Sequence, residues 1–133
     1  MANPNIVNVT SIYGNSAYVI PSNTSVSVAW TNNGTASLTG LTPAVGTVNR
    51  VTSIVVSNVT ASAANTTVAI SNNATYASGT PYYIAYQVTV PPGASVIVTD
   101  KTTSFYVTEN QSVGVISGTG SALNYTATFE AIT

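Results

Sequence analysis

A chain of 133 residues can hold one domain with a core of its own and is short for two. Five residues are charged (Arg50, Asp100, Lys101, Glu109 and Glu130), a share of 4% where an ordinary soluble domain carries roughly 25%, and there is no His or Cys. Those counts exclude disulfide staples, Cys/His zinc sites, thiol or histidine chemistry and a basic surface for nucleic acid.

Thr (22), Ser (16) and Asn (14) take the place of charge, and Val (19), Ala (16) and Ile (9) outnumber Leu (3). Val, Ile and Thr branch at Cβ, lose rotamer freedom in helices and pack well on a pleated surface, so the composition predicts an all-β fold. A net charge of −1 gives little colloidal repulsion, which suits a protein held inside an assembly better than a free monomer. Met1 to Val9 lacks a basic segment followed by an apolar run, so synthesis in the cytoplasm without a signal peptide is expected. No apolar stretch approaches the roughly 20 residues of a membrane-crossing helix, and no membrane partner is expected. The Asn-x-Ser/Thr triplets, at Asn8 and Asn124 among others, are read as a consequence of the Ser- and Thr-rich composition.

Residues 1–23 read as an N-terminal arm and first strand. Ile6, Asn8 and Thr10 alternate with Val7 and Val9, Gly14-Asn15 is a candidate turn, and Tyr18 to Ile20 resumes extended structure. An arm that pairs within its own subunit and one that pairs with a neighbour have the same pattern. Ile6, Val7, Val9, Ile12 and Tyr13 are accordingly candidate interface residues. In the domain proper, 24–133, Val26, Val28 and Trp30 share one face of a predicted strand that ends before the turn signal Asn33-Gly34.

Val48 to Val59 is the strongest strand candidate, with Val51, Val55 and Val59 on one face and Ile54 and Val56 on the other, as in a central strand or one whose outer face a partner covers. Ala61 to Asn65 reads as a loop, and Val68 and Ile70 mark the next strand. Tyr82, Ile84, Tyr86, Val88 and Val90 then alternate with Tyr83, Ala85, Gln87 and Thr89, the cleanest period of two in the chain. Pro91-Pro92-Gly93 forces a turn. Short strands follow at Val96–Val98, Phe105–Val107 and Val113–Val115. Leu123, Tyr125, Ala127, Phe129 and Ala131 close the chain on one face of a final strand. The expected core therefore contains Val28, Trp30, Val55, Ile84, Tyr86, Val88, Phe105 and Phe129. About eight strands in one chain predict a single antiparallel β-sandwich, jelly-roll-like, with an up-and-down barrel as the lesser option.

Catalytic chemistry has little to work with. Asp100, Glu109 and Glu130 lie near predicted strand ends, and Asp100 stands beside Lys101 at a turn where both are ordinarily solvated. The one candidate nucleophile pair is Lys101 with Thr103 or Ser104, better read as turn decoration. No enzyme, metal or cofactor is expected. Tyr82, Tyr83 and Tyr86, with Tyr76 nearby, offer a carbohydrate or peptide platform in principle; Tyr82 and Tyr86 are assigned to the core and Tyr83 to the surface as an intersubunit contact. Arg50, the only guanidinium, is a candidate for an ion pair within or between subunits.

Met1 to Gly14, MANPNIVNVTSIYG, resembles the start of a family of small virion structural proteins in tailed phages of cyanobacteria and other marine bacteria. Four further stretches are similar to segments of that family: Ile54-Val55-Val56-Ser57-Asn58, Tyr82-Tyr83-Ile84-Ala85, Val88-Thr89-Val90-Pro91 and Phe105-Tyr106-Val107-Thr108-Glu109. Glu130 falls in an equivalent acidic tail, while relatives usually carry more Asp, Glu and Lys than this chain. The resemblance implies a virion protein without activity or cofactor that decorates or cements the capsid. It would be a homo-oligomer, a trimer ahead of a dimer, in contact with the major capsid protein or with neck and tail proteins. A neck, tail or fibre component is the alternative, and a carbohydrate-binding adsorption module comes third.

Overall fold

The computed structural model describes residues 9–21 and 45–133; Ile6, Val7, Val28, Trp30 and the Asn33-Gly34 turn lie outside the described residues. Among the described residues eight strands follow one another: β1 (Ile12–Val19), β2 (Val48–Asn58), β3 (Ala64–Ser71), β4 (Pro81–Val90), β5 (Ser95–Thr99), β6 (Phe105–Val107), β7 (Ser112–Ser117) and β8 (Leu123–Ile132). They form two antiparallel sheets. The first has the order β1-β8-β2-β5, with β6 also paired to β2, and the second has the order β4-β3-β7. The β-branched composition thus yields the all-β sandwich expected of it, and β2 is a central strand, the first of the two readings that its apolar faces allowed.

The sheets close on one core. Val51, Ile54, Val56, Tyr125, Ala127 and Phe129 enter it from the first sheet, and Val68, Val113 and Val115 from the second. Two polar groups tie the layers together. The Tyr125 hydroxyl donates to the Ile116 carbonyl at 2.9 Å and lies 2.8 Å from Thr66 Oγ1. Its single proton is committed to Ile116, so Thr66 is the donor in the second bond. Asn58, at the end of β2, donates to the carbonyls of Val90 and Ser62 at 2.9 and 2.8 Å and accepts from the amide and hydroxyl of Thr60. A buried amide with all of this satisfied pins the β2–β3 turn to the end of β4.

Three local features depart from the expected alternation. In β2, Val51 faces Phe129 and Ser53 faces Thr128, so Thr52 is an extra residue in a β-bulge. Beyond it the parity of the strand is reversed: Ile54 and Val56 are buried, and Val55, expected in the core, pairs with Thr126 and Ile97 on the half-buried outer face. In β1, Gly14 and Asn15 do not turn but continue the strand opposite Glu130 and Phe129 of the same chain. β3 begins at Ala64, inside the stretch read as a loop.

β4 departs most. Thr66 pairs with Val88 and Val68 with Ala85, so Thr67 alone opposes Tyr86 and Gln87; a second shift, between Val68 and Ala69, makes Ile84 an extra residue. Two bulges in ten residues turn the strand over twice. Ile84 is consequently 38% exposed and Tyr86 59% exposed, although both were expected in the core. Val88 keeps the inward parity but is also exposed, because β4 is an edge strand among the described residues and the five-residue β5 opposite covers only part of its ten. Tyr82, at the far end of the same strand, is exposed for that reason as well. Of the two phenylalanines, Phe129 is fully buried and Phe105 packs half-buried against the rim of the core.

Arg50 Nη1 lies 3.7 Å from Glu130 Oε2 across the β2–β8 pairing, with both side chains partly open to water. A long, solvated pair of this kind is screened and contributes little. Arg50→Gln is expected to change unfolding stability in urea by less than about 1 kcal/mol, and a larger loss would show that the guanidinium does more than pair with Glu130.

Candidate functional site

The reversals in β4 have a chemical consequence. In a regular strand, residues three apart point to opposite faces. Between Tyr83 and Tyr86 the extra residue Ile84 absorbs that offset, and Tyr83, Tyr86 and Gln87 come together on the outer face of the second sheet. Gln87 adopts a positive φ of 49°, an uncommon conformation for a residue other than glycine, and its amide donates to Thr67 Oγ1 at 3.0 Å. The Tyr83 and Tyr86 rings meet edge to face with centroids 4.7 Å apart and an interplanar angle of 63°. Together with Asn65, Thr67, Ile116 and Gly118 they border an open groove of about 350 Å³.

The lining is neutral throughout. Asn65 Oδ1 accepts from Thr89 Oγ1 at 3.0 Å, a bond that does not use the Asn65 Nδ2 protons. Thr67 Oγ1 accepts from the Gln87 amide and retains its own proton to donate. Gln87 adds a planar amide with both donor and acceptor character beside the two rings. Tyr76, from the turn before β4, packs its ring on Gly114 of β7, where an added Cβ would sit 2.6 Å from Tyr76 Cδ2. Burial raises the Tyr76 phenol above its ordinary pKa, and the neighbouring Tyr83 adds to the rise.

The residues expected to form an interface are dispersed. Tyr83 lies in the groove, Arg50 is paired with Glu130 on the other sheet, and Ile12 and Tyr13 stand exposed at the start of β1, after half-buried Val9. Ile6 and Val7 fall outside the described residues. Asp100 Oδ1 accepts from the amide and hydroxyl of Thr102, which holds its carboxyl below the usual range and caps a single 3-10 turn. Glu109 Oε2 accepts from the Gly46 amide at 3.2 Å. Among the described residues no three acidic side chains converge. No protein-family model, curated protein or solved structure matches the chain. What the surface can do follows from its own chemistry. Nothing in the sequence marks Asn65, Thr67 and Gln87 as members of one site, because no glycine or proline signals the bulge at Tyr86-Gln87 and the alternation runs through it unbroken.

Proposed function

We propose that the protein is a non-enzymatic virion structural component that decorates or cements a phage capsid through neutral surface contacts. The observation that carries this reading is an uncharged row of side chains crossing the first sheet, away from the Arg50–Glu130 pair. Tyr18, Thr126, Val55 and Ile97 stand in register across β1, β8, β2 and β5 on the outer face, with Tyr18 56% and Ile97 67% exposed. Among the described residues the row ends at β1, which pairs on one side only and carries no Lys, Asp, Glu or Pro. Edge strands of free proteins are usually blunted by such residues, and an unprotected one suits a chain that joins a neighbour by strand addition. Contacts of this kind are screened by salt far less than ion pairs, which fits a particle exposed to changing salinity. The likeness of Met1–Gly14 to small virion proteins of marine tailed phages supports the same assignment.

The finer fold reading is a jelly roll. The order β1-β8-β2-β5 in one sheet and β4-β3-β7 in the other, among the described residues, supports that reading.

The test is to locate the chain in purified particles by reconstruction and quantitative mass spectrometry. We expect a second copy and the major capsid protein against the β1 side of the first sheet, with trimeric association in solution. A copy number on the scale of the shell lattice supports decoration, and one on the scale of a single ring moves the protein to the neck or tail. Absence from purified particles overturns the proposal.

A further inference from the structure

We infer that the groove on the outer face of the second sheet is a binding site for a neutral saccharide. This rests on the groove and not on the virion assignment. Three observations point to it together. First, β4 departs from regular strand geometry twice within ten residues, and the result is to gather Tyr83, Tyr86 and Gln87 on one face. Bulges re-aim side chains and recur beside functional sites, and a residue other than glycine at φ 49° is strain that the surrounding structure must hold in place.

Second, the lining has the mixture that a sugar ring requires. Tyrosine rings give a flat apolar surface for the C–H face of a pyranose, at a low cost in side-chain entropy. The side chains of Asn65, Thr67 and Gln87, beside the rings, supply planar amides and a hydroxyl for the equatorial hydroxyls of the sugar. Ile116 closes the apolar side. Third, no charged side chain borders the groove, which selects against phosphate, sulfate, uronate or sialate groups and against charged peptides. A volume of about 350 Å³ falls at the small end of ligand sites, which run from roughly 300 to 1,000 Å³, and suits one or two sugar units over a longer chain lying along the sheet.

The test uses the full chain in solution and saturation-transfer NMR against methyl glycosides of glucose, galactose, mannose and N-acetylglucosamine. Sialyllactose and a sulfated disaccharide serve as charged probes. At least one neutral glycoside is expected to bind with an affinity on the order of millimolar, as an open single-site groove allows. Tyr86→Ala is expected to weaken that binding by about tenfold or more, and Tyr106→Ala, an exposed tyrosine on the first sheet, to leave it unchanged. Gln87→Gly, which relieves the positive φ and so preserves the fold, is expected to weaken it as well. The inference is overturned if no neutral glycoside binds, if only the charged probes bind, or if binding persists in both Tyr86→Ala and Gln87→Gly.

Discussion

Phe129→Ala is expected to cost about 3–5 kcal/mol of unfolding stability, with Phe105→Ala costing a clearly smaller amount. The phenylalanines look alike in the sequence, each within a strand, but their surroundings differ. Phe129 stands in the middle of β8 between Asn15 of β1 and Val51 of β2, with 0% of its surface exposed and the second sheet above it. Removing the ring there leaves a cavity roofed by two sheets whose hydrogen-bonded ladders cannot collapse into it, which is the condition for the upper end of the range. Phe105 begins the three-residue β6 and only leans on the core, so water and neighbouring side chains can fill the space it leaves. Guanidinium denaturation of both variants measures the difference. Equal losses would mean that the rim of the core at β6 is as tightly closed as its centre.

β8 shows where sequence alternation is enough to read a fold. Leu123, Tyr125, Ala127 and Phe129 are all buried, and they alternate with half-buried or exposed Asn124, Thr126, Thr128 and Glu130. Its ladder with β1 runs without a shift from Ile12 to Val19, so parity once set is kept. β2 and β4 show the opposite. An inserted residue changes neither composition nor apparent period, yet every position beyond it moves to the other face. One insertion at Thr52 moved Val55 outward. Two insertions in β4 took Ile84 and Tyr86 out of the expected core, and the second of them created the groove. The position of β4 at the sheet edge, which leaves Val88 and Tyr82 exposed, is a property of strand order and no local pattern encodes it. The candidate site was therefore hidden for the same reason that the core assignment failed there. The polar face of the alternating pattern puts Tyr83 on the surface, but its partners Gln87, Thr67 and Asn65 become neighbours only through cross-strand pairing.

The pH dependence of stability offers a test of the contact between the sheets. Tyr125 is buried at the centre of the sandwich, and that burial pushes its phenol up to about 12, against a smaller opposing effect of the hydrogen bond from Thr66. In the unfolded chain the same group ionises near pH 10. A group held above its unfolded value contributes its full stabilisation below about pH 10 and loses it as the pH rises toward 12, because the unfolded state releases the proton first. The loss is on the order of 2–3 kcal/mol across that window. Tyr125→Phe removes the ionising group but also deprives the Ile116 carbonyl and Thr66 of their partner, so the variant is expected to be less stable at pH 8 by about 1–3 kcal/mol. Its stability then falls less steeply than that of the parent between pH 10 and 12, and the two curves converge. Every other tyrosine is common to both proteins, so the difference between the curves reports Tyr125 alone. Adding Thr66→Val to Tyr125→Phe removes one of the stranded partners and is expected to recover part of the loss at pH 8, since an apolar pair costs less than one unsatisfied hydroxyl. Denaturation curves that remain parallel through pH 12 would show that the Tyr125 hydroxyl reaches water in the folded protein and that the two sheets are not sealed at that point.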